Sequence, residues 1–411
     1  MKSNGLSVEV INKYFYPVAA GIETNTLEVY SNMAKNGWNV TIHTSKNTLT
    51  EKDCLKREET IRGLKVKRYY FGNFGFFPEI DWKKTKCVAL HNFNIFPHLF
   101  LLLYCLVLKI LGRKEFKVFL TPHGFTPYWS QFPKWLKVIK KIYQDTLGIF
   151  LINAVVDGVR AVSDWEKDEI IARGVNPKLV ETISNGIENE AFINLEKFAS
   201  HKIKTTVQQN QSYIIQIGRI HPIKNYETSI KALAKLPKKL NYLIVGPDQD
   251  LQYKKELEKL IKKLKLQDRV KFLGVVTGAD KYYLLKNATM MVHMAHWEAY
   301  CNTVHEGMSQ GLVCVVPRNT ALEELIKNGV NGYCLDPDDY KGLVEKINFV
   351  LKNKNSTKIL EMKKRNKDFA AGHSWKNVAK EVEIFYKNVS ESSQSKTQKK
   401  FLKKFAALKH G

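Results

Sequence analysis

Two stretches of this chain alternate short apolar runs with amphipathic ones, and that alternation restricts the fold more than any other feature. In the first stretch LSVEVI reads as a strand. Residues 23–35 then carry Leu27, Tyr30 and Ala34 at helical spacing, Asn36-Gly37 ends that helix, and WNVTIHT is the next strand. CVALHN, an apolar run at 99–108, KVFLTPHG and AVVDGVRAVS continue the series, and Ser163-Asp164-Trp165-Glu166 forms a capping box for the helix after them. A polar stretch at 188–211, rich in Lys, Thr, Gln and Asn, breaks the rhythm and reads as an interdomain linker. The alternation restarts with SYIIQIG, a helix through TSIKALAKL, NYLIVG, a Lys-rich helix, VKFLG, KYYLLKN, TMMVHM and VCVVP. Strands separated by helices predict an α/β fold of two doubly wound, Rossmann-like domains with mostly parallel sheets. A chain of 411 residues suits two cores. The expected boundaries are 1–189 and 207–374, with 391–411 as a basic tail.

The net charge of +25 admits polyanionic partners: nucleic acid, an anionic membrane leaflet or phosphorylated substrates. A Lys-rich solvated surface accounts for it equally well. Six cysteines are scattered without a CxxC pair or a histidine at zinc spacing, so the expectation is a reduced, cytoplasmic chain with no structural metal. The first residues lack the apolar core of a signal peptide. The run at 99–108 is half of the ~20 residues needed to span a bilayer, and suits a helix buried on a sheet. In the tail, Phe401, Leu402, Phe405 and Leu408 fall on one helical face among lysines, as in a membrane-surface helix or a frayed basic end. RYYFGNFGFFPEIDWKK, and Trp129, Phe132 and Trp135 near several lysines, suit a membrane interface or a core between helices.

The residues that carry chemistry concentrate in the second half. Gly218-Arg219 ends the strand SYIIQIG, and Lys224 precedes the next helix. A small residue there lets a ligand approach the backbone, the helix N-terminus attracts phosphate, and the two cations can grip its oxygens. Glu298 falls in the loop after TMMVHM, and Glu306 in the opening turns of a helix starting near Asn302. Both then lie at the carboxyl edge of a parallel sheet, where such folds bind ligands. Each feature alone also reads as a solvated charge.

Taken together, Gly218-Arg219, Lys224, LIVG, KFLG, the glutamates seven residues apart and NGVNGYCLDP resemble the retaining family 4 glycosyltransferases of GT-B fold. PVAAGIETNTLEVYSNMAKNGWNVTIHT resembles that family's opening loop and first helix, TPHGF its His-Gly step, and ISNGIENEAF its Asn-Gly motif. HSWKNVAKEVEIFYKN resembles the Trp-bearing helix that returns to the first domain, here 375–390. The resemblance implies two domains facing across a cleft, the first binding the acceptor and the second a nucleotide-diphosphate sugar. It further implies that Gly21 admits the donor or acceptor and that His123 lies close to the donor sugar. Arg219 and Lys224 neutralise the diphosphate in place of a metal, Glu298 holds sugar hydroxyls, and Glu306 holds the ribose; the nucleotide sugar is then a substrate, and no cofactor is implied. Leu273, Gly274 and Val275 border the base, and Ala299, Tyr300, Cys301 and Asn302 complete the donor site. The chain departs from the family in having Ala20-Gly21 for a glycine pair, and Ala299-Tyr300-Cys301 where small, glycine-containing sequence is usual.

The implied reaction moves a hexosyl unit from a UDP- or GDP-linked donor to a glycan or lipid-linked acceptor with retention, as in surface glycan or glycolipid assembly. No side chain presents itself as a glycosidase-type nucleophile, which favours a same-face displacement. Rival readings are a GT-B epimerase or phosphorylase, a catalytically dead relative, and a basic nucleic-acid-binding protein, although no nucleic-acid motif is present.

Overall fold

The structure, a computed structural model, describes residues 6–18, 20–49, 51–73, 75–93 and 96–408, with the side chains of 96, 97, 131 and 392–408 left out. The chain forms two compact units, Met1–Ser184 with Lys376–Gly411, and Asn185–Trp375. In the first unit β1 (Ser7–Ile11), β2 (Asn39–Ser45), β3 (Glu58–Ile61), β4 (Leu64–Tyr69), β5 (Cys87–His91), β6 (Lys117–Thr121), β7 (Gly158–Ala161) and β8 (Val180–Thr182) make one sheet. Its order is β3-β4-β2-β1-β5-β6-β7-β8, parallel except for the β3–β4 pair. The second unit has β9 (Tyr213–Ile217), β10 (Asn241–Val245), β11 (Val270–Phe272), β12 (Met290–Val292), β13 (Cys314–Pro317) and β14 (Gly332–Leu335) in the order β11-β10-β9-β12-β13-β14, all parallel.

Central strands of both sheets are buried along their whole length, as Cys87–His91 and Tyr213–Ile217 are. Helices cover both faces of a parallel sheet, so its strands lose the alternation of a half-exposed sheet and read as continuous apolar runs. That is why CVALHN and SYIIQIG are readable as strands. Chain crossovers leave one switch point per sheet, between β1 and β5 in the first unit and between β9 and β12 in the second.

The helices that matter in the first unit are α1 (Gly21–Lys35), α2 (Phe96–Ile110), α3 (Lys134–Tyr143), α4 (Ile149–Val155) and α5 (Asp164–Ala172). α2 buries Leu101, Leu102 and Cys105 against the sheet, yet exposes Leu103, Tyr104, Val107 and Ile110, so only one face of the apolar run is core. α3 buries none of its residues. Trp135, Val138, Ile139 and Ile142, spaced as one helical face, are each more than half exposed, while Leu136 and Tyr143 lean inward. Among the described residues no helix is long and apolar enough to cross a membrane.

Two expectations change. The chain passes between units at Ser184 and Asn185, ahead of the polar stretch at 188–211. That stretch folds into the helices Leu195–Phe198 and His201–Gln209, whose first amides are capped by Asn194 and Ser200, and it buries Leu195, Ala199 and Ile203 in the second unit. Its polar residues are caps and a solvated face, which composition alone does not separate from linker. The aromatic loop after β4 is also divided: Phe76 is buried and stacks on Tyr69 at 5.3 Å, whereas Tyr70 and Phe77 are exposed. The apolar tail residues Phe401, Leu402, Phe405 and Leu408 lie outside the described side chains, although the backbone helix Trp375–Leu408 reaches them.

One glycine locks the second sheet's ligand edge. Gly246, just beyond β10, has φ +145°, and a Cβ there would sit 1.9 Å from the Gly218 carbonyl oxygen. Its amide donates to the Gly274 carbonyl at 2.8 Å. The ends of β9, β10 and β11 therefore converge only if residue 246 has no side chain. Gly246→Ala is expected to cost about 2 kcal/mol or more in unfolding free energy, read by denaturant melts; an unchanged midpoint would show that the three loops can separate freely.

Candidate active site

The second unit's switch point collects most of the residues picked out by sequence. β9 runs into Gly218, whose amide donates to the Val245 carbonyl at 2.9 Å and whose carbonyl accepts the Tyr226 hydroxyl at 2.7 Å. The turn Pro222–Lys224 follows, and Asn225 then takes φ +49°, held by its side-chain Nδ2 donating to the Pro337 carbonyl at 2.8 Å, before the helix Tyr226–Leu233 begins. This bent start brings Lys224 back over the sheet edge, where its ammonium pairs with Glu298. Arg219 instead donates to the Gln249 side chain at 2.7 Å and remains partly exposed.

From the neighbouring strand β12 the chain continues through His293 to Glu298. His293 Nε2 lies 2.7 Å from Glu298 Oε1, so the carboxylate is flanked by Lys224 and His293. Burial works against ionising Glu298, but the Lys224 charge and the His293 hydrogen bond outweigh it and hold the carboxyl down at about 2. Burial likewise opposes a charge on His293, yet Cys301 and Glu298 lift it to about 9. At neutral pH the cluster therefore holds an imidazolium and a carboxylate beside the Lys224 side chain. Cys301 Sγ is 3.4 Å from His293 Nε2, and His293, Glu298 and Cys301 together offer three donor atoms within metal-ligand reach of one another.

Cys301 takes φ +73° at the start of the helix Asn302–Ser309, a left-handed conformation that costs a non-glycine residue about 1–2 kcal/mol. The departure from glycine thus leaves the backbone path intact and adds a thiol beside His293. Ala299 and Tyr300 are buried, and the Tyr300 hydroxyl lies between the Asn185 carbonyl, 3.1 Å away, and His305 Nδ1, 2.8 Å away. The Tyr300 ring belongs to the core. Asn302 accepts from the Asn185 side chain at 2.8 Å.

Glu306 lies one turn into that helix. Its Oε1 pairs with Lys281 at 2.9 Å, and Lys281 also reaches Glu188 at 2.8 Å. Burial and the nearby Glu188 charge push the Glu306 carboxyl up to about 7, with Lys281 pulling it down. Glu306 Oε2 is sealed from solvent and has no hydrogen-bond partner among the described residues. Leu273, Gly274 and Val275 follow β11; the Leu273 amide donates to Ile244 at 2.9 Å, Gly274 has φ +69°, and Val275 is exposed.

Gly21 and His123 belong to the first unit. Gly21 opens α1. His123 follows β6 with φ +55°, and the turn it makes with Gly124 is tied down by Glu166, whose carboxylate accepts the amides of Gly124, Phe125 and Val162. Ser163 accepts the Glu166 amide at 3.0 Å, as a capping box requires, so one glutamate serves the start of α5 and the His-Gly turn together.

Sequence reasoning passes over His293, Lys281 and Glu188. A histidine inside the apolar run TMMVHM, five residues ahead of Glu298, is the available signal for the first. Lys281 lies among apolar residues in KYYLLKN without any motif, and only the fold brings it to Glu306.

A folded-state value raised above the ordinary histidine range has a definite sign in stability. The His293 contribution is fully present below about pH 6.5 and disappears as pH rises through about 9, with a span on the order of 3 kcal/mol. The melting temperature of the wild type minus that of His293→Gln should therefore shrink steadily between pH 6 and pH 9.5. A constant difference over that interval would mean His293 carries no charge in the fold.

Residues 19–191 match the family model described as Glycosyltransferase Family 4, and residues 197–368 the model described as Glycosyl transferases group 1. An uncharacterised glycosyltransferase of Methanocaldococcus jannaschii is 29% identical over 57% of this chain and 60% of its own length. The GPI3 subunit of the Saccharomyces cerevisiae phosphatidylinositol N-acetylglucosaminyltransferase is 22% identical over 98% of this chain and 87% of its own. In fold, the chain is similar to Anabaena HepE, solved with UDP and glucose, at a TM-score of 0.72 and 17% identity over 93% of this chain and 100% of that one. A sucrose-phosphate synthase from Thermosynechococcus elongatus gives 0.72 and 16% over 94% and 99%. With both family models in sequence order and both sheets of the matching architecture, this chain belongs to the group 1, family 4 glycosyltransferases of GT-B fold.

Proposed function

We propose that the protein transfers a hexosyl unit, with retention of configuration, from a UDP- or GDP-linked sugar to a glycan or lipid-linked acceptor, as in cell-surface polysaccharide or glycolipid assembly. The observation that carries this reading is the arrangement at the β9–β12 switch point. Lys224 is paired with Glu298, and Glu298 has a second cation, His293, behind it. When a diphosphate draws Lys224 away, His293 still neutralises the buried carboxylate, so the exchange does not leave an unpaired charge. Lys224 and Arg219 then stabilise the departing diphosphate, which needs no metal for that purpose, and the phosphate accepts the acceptor's proton in a same-face displacement. Glu298 keeps an oxygen for sugar hydroxyls. Among the described residues no donor meets Glu306 Oε2, which leaves it as the acceptor proposed for a ribose hydroxyl.

Nucleotide binding tests the site directly. UDP, GDP and ADP are added in turn, with chelator present, at about 100 times the dissociation constant. One of them should raise stability by about 2.7 kcal/mol, and Lys224→Ala and Glu306→Ala should lose that gain while remaining folded. Full turnover in either folded variant would remove these residues from the mechanism, and product analysis without acceptor or with added phosphate separates an epimerase or a phosphorylase.

The acceptor reading rests on α3. An exposed face of Trp135, Val138, Ile139 and Ile142, flanked by Lys134, Lys137 and Lys141, suits the headgroup boundary of an anionic membrane, and exposed Leu147 and Phe150 extend it towards α4. The enzyme then works as a peripheral protein at the cytoplasmic leaflet, with no nucleic acid involved. Sedimentation with phosphatidylglycerol vesicles should be strong for the wild type and several-fold weaker for Trp135→Ser with Ile139→Ser. Equal sedimentation of the two would remove α3 from the contact.

A further inference from the structure

At the first unit's sheet edge two histidines and two tyrosines form an unbroken chain of hydrogen bonds. His91, the last residue of β5, is buried, and its Nδ1 lies 2.8 Å from His123 Nε2, with the rings stacked at 5.1 Å. On its other side His91 Nε2 lies 2.9 Å from the Tyr30 hydroxyl on α1. Tyr30 in turn lies 2.9 Å from the hydroxyl of Tyr386, on the helix Trp375–Leu408. Both imidazoles are neutral: burial, reinforced by the nearby Arg160 guanidinium, takes His123 down to about 3 and His91 well below the ordinary range.

A neutral chain of this kind has two directions. In one, His123 donates from Nε2 to His91, His91 donates to Tyr30, and Tyr30 donates to Tyr386. The Tyr386 hydrogen is then left over. That hydroxyl is buried among Trp38, Phe119 and Phe385 and has no second partner among the described residues. In the other, Tyr386 donates to Tyr30, Tyr30 to His91 Nε2, and His91 Nδ1 to His123 Nε2. Every buried hydrogen is then used, and the spare one is the Nδ1 hydrogen of His123, a residue only half-buried. An unmatched buried hydroxyl hydrogen costs more than a solvent-reachable one, which selects the second direction.

We propose that His91, Tyr30 and Tyr386 act as a positioning relay that holds His123 in its Nδ1–H tautomer, so that His123 presents a neutral hydrogen-bond donor to a ligand oxygen at the first unit's sheet edge. This rests on the functional reading above for the identity of the ligand. The tautomer itself follows from the relay alone. The turn that presents His123 is fixed separately by Glu166, so the relay governs which nitrogen carries the hydrogen and the turn governs where the ring lies.

Imidazole nitrogens labelled with ¹⁵N distinguish the tautomers by long-range proton coupling, and loss of one signal set in His123→Gln identifies this residue among the eleven histidines. The wild type should show hydrogen on His123 Nδ1. Tyr30→Phe keeps the ring beside His91 but cuts the relay. It should mix the two tautomers and lower kcat about tenfold, the equivalent of one hydrogen bond, with donor KM within twofold. A wild type protonated at Nε2 overturns the relay, whether or not the variants fold, and so does a folded Tyr30→Phe indistinguishable in spectrum and kcat. Failure of the wild type to use any nucleotide sugar would defeat the functional reading instead, and the spectra would still decide the relay.

Discussion

A parallel strand covered by helices on both faces has no side chain left for chemistry along its length, and that single constraint organises this molecule. Each strand can offer chemistry only through the residues beyond its C-terminal end. The switch point is the one place in each sheet where two such ends emerge without a connecting helix laid across them. In the second unit β9 delivers Lys224 and β12 delivers His293 and Glu298; in the first, β5 ends at His91 beside the β6 end and His123. The tight approach of Gly246 to Gly218 belongs to the same requirement, since strand ends must converge before their loops can share a site.

Converging loops bring charges into partly dry surroundings, where an isolated ion is costly. The second unit resolves this by sharing compensating groups among its buried ions. Glu298 has Lys224 and His293, whereas Lys281 is shared by Glu306 and Glu188. The two arrangements differ in sign. Around Glu298 there is one cation too many, in keeping with the diphosphate site proposed for it. Around Lys281 there is one carboxylate too many, which keeps an acceptor oxygen available and lifts Glu306 towards protonation. Buried pairs of this kind add little net stability over apolar packing, which agrees with the binding role proposed for both clusters.

Strand positions and the order of elements are legible in the sequence because burial on both faces writes itself as uninterrupted apolar residues. Lys224, Glu298 and Glu306 are legible because they sit at fixed offsets from strand ends. The residues that tune them are not. Lys281 reaches Glu306 across helices separated in sequence, and nothing in KYYLLKN marks it. Tyr300 enters only as an implied part of the donor site, and it is burial with its hydrogen bonds to Asn185 and His305 that places the ring in the core. The segment at 188–211 reads as a linker because caps and solvated helix faces share a linker's composition. Glu166 is recognisable as a cap, but its grip on the His-Gly turn depends on two strands coming side by side.

The histidines show how burial and neighbours divide the control of charge. His91, His123 and His293 all lie where desolvation disfavours a charge, yet they end in opposite states. His91 and His123 bond to each other and to a tyrosine hydroxyl with a guanidinium nearby, so nothing offsets the cost of protonation and they stay neutral. His293 faces a carboxylate and a thiol, which do offset it, and it stays charged. Burial therefore sets the scale of each shift, and the neighbours set its direction. One unit thereby offers a directed neutral hydrogen bond and the other a reserve of positive charge.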